Sequence, residues 1–273
     1  MGLSNRTLRV LVALISIPVI LIVTYIGKIP FLLFSMFVGL IAYNEFSQLA
    51  INKKVYTNLI IGLLSIISIV LNAYYNFIPF LSLIVIITLT LLTFELFRNK
   101  GSAILNLGGS LLGIFYIGLF ASSLLSIREF YNYSELLYTE GGYLIITIFI
   151  SIWICDSAAY FIGSAMGKHK LFPRVSPKKS WEGAIAGFIF AIVAFIAVHD
   201  IMLDILTLKD AIIIGIIVGF FGQLGDLVES LLKRDAGVKD SSAIIPGHGG
   251  VFDRFDSILF TAPIIYIYLH FFA

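Results

Sequence analysis

The chemistry of this chain is concentrated between Lys233 and Asp256. Lys233, Arg234, Lys239 and Asp240 come first, then the turn Pro246-Gly247-His248-Gly249-Gly250, then Asp253, Arg254 and Asp256. Carboxylate oxygens suit a hard divalent cation, and ammonium and guanidinium groups neutralise phosphate oxygens. Gly247, Gly249 and Gly250 allow a ligand to approach the backbone closely. Together these are the parts of a magnesium–nucleotide site. A solvated loop of mixed charge is the plain alternative, but it has no need of His-Gly-Gly or of acids where an apolar run begins. Just upstream, Asp226, Glu229, Ser230 and Lys233 are spaced i, i+3, i+4 and i+7, which is one face of a helix. A third segment, Ser176-Pro177-Lys178-Lys179-Ser180-Trp181-Glu182-Gly183, packs two lysines against the start of a helix, whose N-terminus itself attracts anions. The run Gly163 to Lys168 has a superficial likeness to a P-loop, but the spacing is wrong and no strand precedes it.

The elements that must carry these residues are membrane helices. The chain has 273 residues, of which 59% are apolar and 12% charged, with a mean hydropathy of +1.02. Soluble domains carry about 25% charge. Disorder, coiled coil and nucleic-acid-binding arms are excluded on the same ground. The lone Cys155 excludes an intramolecular disulfide framework and a cysteine metal site. A spanning helix needs roughly 20 mostly apolar residues. Nine such segments are predicted, near 8–27, 31–50, 57–73, 79–97, 103–127, 143–164, 182–199, 211–232 and 256–272. The first follows Arg6 and Arg9 like a signal peptide, but no small-residue cleavage site follows it and the run is long enough to span. The runs are continuous, unlike the alternating strands of a membrane barrel. The fold expected is an all-α polytopic membrane protein. Its N-terminal helices are expected over 1–140 and its catalytic membrane region over 141–273.

Charge placement orients this arrangement. With nine spans, fifteen of the 18 Lys and Arg residues fall on one side and only Lys28, Arg128 and Lys209 on the other. The positive-inside rule makes the basic side cytoplasmic, with the N-terminus inside and the C-terminus outside. Acids within spans cost about 2.5–3.5 kcal/mol each on insertion scales and are functional candidates by default. Asp156 and Asp226 lie about 20 Å and 23 Å along their spans, in the cytoplasmic half. Glu45 and Glu95 sit near cytoplasmic ends, where snorkelling or pairing with Lys53 or Arg98 is the expectation. Gly215, Gly219, Gly222 and Gly225 mark a face for close helix packing.

The segment from Ser230 to Asp256 strongly resembles the phosphatidate cytidylyltransferase (CDP-diacylglycerol synthase) family. Ser230, Lys233, Arg234, Lys239, Asp240, Pro246, His248, Gly249, Gly250, Asp253, Arg254 and Asp256 all stand at the family's fixed positions. Asp156-Ser157-Ala158-Ala159-Tyr160 and the Ser176 to Gly183 segment also look like the family. The resemblance is close over roughly 150–260, and the first half matches only as membrane spans. It implies CTP and phosphatidic acid as substrates, CDP-diacylglycerol and pyrophosphate as products, and magnesium as cofactor. Asp226 and Asp253 would hold the metal, with Asp256 and Asp156 next. Lys233, Lys239, Arg254 and His248, with Asp240, would form the catalytic set. Lys178, Lys179, Ser176, Trp181, Glu182, Arg234, Gly249 and Gly250 would meet the substrates. The expected setting is the inner (plasma) membrane with the site facing the cytoplasm. No nucleic-acid partner is expected, and a homodimer is left open. A secondary transporter is the rival reading, but it would place polar residues at the midplane and on both sides. Another CTP-dependent lipid-headgroup enzyme is the second rival.

Overall fold

In hydrocarbon the backbone has no water to bond, so an apolar run must satisfy its own N–H and C=O groups, and a helix does this within the segment. Each apolar segment of the chain is helical in the computed structural model, which describes residues 5–245 and 249–272. In order they are α1 (Asn5–Ile26), α2 (Lys28–Asn52), α3 (Leu59–Tyr75) and α4 (Phe80–Phe97). Then come α5 (Ala103–Gly113), a π-helical turn (Ile114–Leu119), α6 (Phe120–Arg128) and α7 (Tyr138–Met166). The last are α8 (Trp181–Met202), α9 (Leu208–Asp235) and α10 (Phe252–Phe272). Among the described residues, seven helical stretches are long and apolar enough to cross a membrane, with Ala103–Arg128 counted as one. The stretches Val10–Ile26 and Leu59–Tyr75 are shorter. At 1.5 Å per residue, 17 residues of α3 span about 26 Å against a hydrocarbon core of about 30 Å. The chain is a multi-pass membrane protein.

One departure from an all-helical reading positions functional residues. The polar segment after α7 forms a hairpin of β1 (Lys170–Phe172) and β2 (Ser176–Ser180), antiparallel, with Phe172 opposite Ser176 and Lys170 opposite Ser180. Val175 N–H donates to the Phe172 carbonyl at 3.1 Å to close the turn. Sequence alone shows no alternating apolar pattern there, because the strands are only three and five residues long and largely polar. Ser180 then caps α8, its hydroxyl accepting from Gly183 N–H at 3.2 Å.

The described chain divides into two compact units that are interleaved in sequence. The first comprises Met1–Val23, Lys28–Ser126 and Leu232–Phe255, and the second Thr24–Gly27, Ile127–Leu231 and Asp256–Ala273. In the first unit, Glu95 is buried and accepts from Asn106 Nδ2 at 2.7 Å, and it pairs with Arg98 at 3.4 Å. The Arg98 pairing is the one expected. Glu45 departs from its expectation: Lys53 instead pairs with Asp235 at 3.2 Å, and Glu45 is buried elsewhere, as described below. In the second unit, Arg128 is fully buried and donates to the carbonyls of Thr24 at 2.6 Å and Tyr25 at 2.8 Å. These carbonyls end α1 and have no intrahelical partner. A cation at a helix C-terminus is also favoured by the dipole.

Candidate active site

Small residues bring the carboxylates of the second unit together. A Cβ added at Gly183 would lie 2.6 Å from the Ala159 carbonyl oxygen, so α8 runs against α7 at backbone distance. A Cβ at Gly225 would lie 2.7 Å from the Asp256 carbonyl oxygen and 2.6 Å from Phe260 Cβ, so α9 meets α10 in the same way. The expected close-packing face on α9 is therefore real, and Gly225 sets Asp226 beside Asp256. Asp226 on α9, Asp156 on α7 and Lys179 of β2 each lie close enough to Asp256 on α10 to act on its charge. Lys179 Nζ is 2.7 Å from Asp226 Oδ2. Ser230 donates to Asp226 Oδ1 at 3.2 Å, one turn along α9. Asp256 is buried and its Oδ1 accepts Ser257 N–H at 2.7 Å, whereas Asp226 is half-buried and Asp156 exposed.

The hairpin is fastened to α8 beside this cluster. His169 N–H donates to Glu182 at 3.2 Å, and His169 Nδ1 lies 2.7 Å from Glu182 Oε1. The Trp181 N–H donates to the His169 carbonyl at 2.9 Å. Glu182, expected at the substrate, thus fastens His169, just before β1, and so braces the hairpin whose second strand carries Lys179. Lys178 and Trp181 are exposed and Ser176 is half-buried.

The first unit holds a second constellation, built on the loop before α10. Lys233 Nζ is 2.7 Å from Asp253 Oδ1, and both side chains are nearly enclosed, at 11% and 5% exposed. Asp253 also accepts Ser241 N–H at 3.0 Å and Gly250 N–H at 2.8 Å on Oδ2. Expected among the metal ligands, Asp253 has both its oxygens committed to this loop and to Lys233. Lys239, Asp240, Arg234 and Arg254 are exposed, and Arg234 Nη1 donates to the Val238 carbonyl at 2.8 Å. Pro246, Gly247 and His248 lie outside the described residues.

Sequence reasoning missed Glu45. It is 1% exposed. Its Oε1 accepts Ser242 Oγ–H at 2.6 Å and Val251 N–H at 3.0 Å. Its Oε2 accepts Ser241 Oγ–H at 2.9 Å and Phe252 N–H at 2.8 Å. Gly249 has φ +82°, and a Cβ on Gly250 would collide with Ser241 Oγ and Glu45 Oε2. Gly250 therefore makes room for Glu45 as much as for any ligand. The signal was present, since an acid within a span asks for partners, but those partners lie at the far end of the chain.

The donor chemistry fits magnesium within limits. Among the described residues, no group of three or more His, Cys, Asp or Glu is arranged to grip a metal ion by itself. Magnesium does not require such a group, because it commonly binds through one or two carboxylates plus substrate phosphates. Asp226 and Asp256 offer that number of carboxylates, and Asp156 acts on Asp256 from a third helix.

The sequence model of the cytidylyltransferase family matches residues 7–272. The chain belongs to the cytidylyltransferase family. Among its relatives, a protein of Staphylococcus saprophyticus named phosphatidate cytidylyltransferase is 35% identical over 265 residues, covering 96% of this chain and 98% of its own. A Bacillus subtilis protein of the same name is 35% identical over 273 residues, covering 97% and 98%. One from Haemophilus influenzae is 47% identical over 138 residues, about half of each chain. The sequence resemblance was close only over the second half, whereas the family match extends through α2, the helix that carries Glu45.

Proposed function

We propose that this cytidylyltransferase transfers CMP from CTP to phosphatidic acid, releasing pyrophosphate and leaving CDP-diacylglycerol in the bilayer. The supporting observation is that Asp256 of α10 feels the charges of Asp226, Asp156 and Lys179, with Lys179 2.7 Å from Asp226, in a chain matched over nearly its full length by relatives named for this reaction. A phosphate oxygen of the lipid attacks the α-phosphorus of CTP, and the bond to pyrophosphate breaks. Such a transfer asks the protein for positioning and charge neutralisation rather than a nucleophile. We assign Asp226 and Asp256, with Asp156, to hold magnesium. Bound there, the ion would supply Lewis-acid neutralisation of phosphate oxygens. Lys233, Lys239, Arg254 and His248 neutralise and orient phosphates, and Lys178 and Lys179 contact the lipid phosphate or the triphosphate tail. Asp253 holds the Lys233 ammonium in place.

The direct test is purified protein in detergent or nanodiscs with CTP, phosphatidic acid and magnesium. CDP-diacylglycerol and pyrophosphate should appear in equal amounts, and chelation with EDTA should stop both. Absence of CDP-diacylglycerol from folded protein in active lipid would refute the assignment.

We further infer nine spans, an N-terminus in the cytoplasm, a C-terminus outside and a site facing the cytoplasm of the plasma membrane, where CTP is made. The count of nine requires the shorter α1 and α3 to cross as well. Asp240→Cys, with the buried Cys155 replaced by Ser, should react with an impermeant maleimide from the cytoplasmic face only. Labelling from the outer face in intact cells would reverse the orientation.

A further inference from the structure

We infer that Glu45 is a positioning residue for the reaction: through Ser241 it fixes the loop that holds Asp253 and Lys233. The inference rests on the function proposed above. The chain of contacts is continuous within the first unit. Glu45 Oε2 accepts from Ser241 Oγ at 2.9 Å. The same residue's N–H donates to Asp253 at 3.0 Å, and Asp253 holds Lys233 Nζ at 2.7 Å. Glu45 also receives the N–H groups of Val251 and Phe252, which open α10 and carry the positive end of its dipole. The tie therefore runs from the C-terminal third of α2 to the first turn of α10 and to the lysine.

The four donors are distributed so that only a carboxylate fits. Each oxygen receives one hydroxyl and one backbone N–H. A hydroxyl can reverse its role, but an N–H cannot. Whichever way a glutamine side chain is turned, its NH2 group therefore faces a buried N–H. Glu45→Gln keeps the volume and removes the fit. Gly250 leaves no space for the loop to shift toward Glu45, because even a methyl group there would collide with it.

Glu95 is a matched control. It is also buried in the first unit and is held by Asn106 and Arg98, but among the described residues no hydrogen bond or ion pair ties it to the Asp253 loop. Glu45→Gln, Ser241→Ala and Glu95→Gln are each purified as full-length protein, checked for monodispersity, and assayed for kcat and for KM for CTP and phosphatidic acid. Glu45→Gln should lower kcat at least tenfold with KM for CTP changed less than threefold. Ser241→Ala should lower kcat in the same direction, and add less than twofold in the Glu45→Gln background, because both break one link. Glu95→Gln should lower the melting temperature while kcat per folded molecule stays within twofold. Equal loss of kcat in Glu45→Gln and Glu95→Gln would show a general effect of burial and overturn the inference, as would a kcat for Glu45→Gln within twofold of wild type. Failure of wild type to make CDP-diacylglycerol would instead refute the underlying function, so the two failures are separable.

Discussion

Asp226→Asn is expected to lower turnover about a thousandfold, a loss of about 4 kcal/mol of transition-state stabilisation. The amide has the shape of the carboxylate but not its charge. It can still accept from Ser230, which lies 3.2 Å away on the next turn of α9, so the helix is undisturbed. What disappears is the anionic oxygen that a hard cation needs and that Lys179 approaches at 2.7 Å. The Lys179 and Asp226 side chains are 26% and 35% exposed, so their pairing contributes at most about 1 kcal/mol to stability. The variant should therefore insert, purify as a monodisperse peak and melt within a few degrees of wild type while making almost no CDP-diacylglycerol. Activity within tenfold of wild type would remove Asp226 from the metal site.

Lys233→Met is expected to be damaging for a second reason. The Lys233–Asp253 pair is nearly closed to solvent, and removing one partner of such a pair costs about 3–5 kcal/mol because the other charge is left stranded. The unfolding midpoint in detergent should drop sharply, and turnover should fall with the lost ammonium. Adding Asp253→Asn to Lys233→Met removes the stranded charge but keeps an oxygen for the N–H groups of Ser241 and Gly250, which Asp253 now satisfies. The double variant should recover much of the lost stability and none of the activity. A single Lys233→Met variant as stable as wild type would show that the pair is screened by solvent and that its geometry is incidental.

The sequence was most legible where a rule depends on neighbours. Apolar length located the helices within a few residues, because a span is a local property. The i, i+4 spacing of Asp226 and Ser230 became a hydrogen bond for the same reason. The α9 glycines were read as a packing face, and Gly225 against α10 fulfils that reading. What stayed hidden depends on partners distant in the chain. Gly250 was read as clearance for a ligand, whereas Glu45 occupies that clearance. Glu45 was read as an interfacial acid because nothing near it in sequence donates four hydrogen bonds. Asp253 resembles Asp226 and Asp256 as a residue type, and only the positions of Lys233 and Ser241 give it a different partner set. The hairpin around Lys179 escaped because two very short strands leave no hydrophobic period to read.

The tie between Glu45 and the loop before α10 also has a history in time. Its four donors lie 196 to 207 residues after it in the chain. At about 5–20 residues per second of synthesis, Glu45 leaves the ribosome roughly 10–40 s before those donors exist. During that interval α2 carries an acid whose final partners have not yet been made. The N-terminal helices can enter the bilayer in order, but this carboxylate must be sheltered by water or by the insertion machinery until the loop before α10 arrives. Synthesis of the loop before α10, rather than insertion of the first helices, is therefore the event that gives this buried acid its partners.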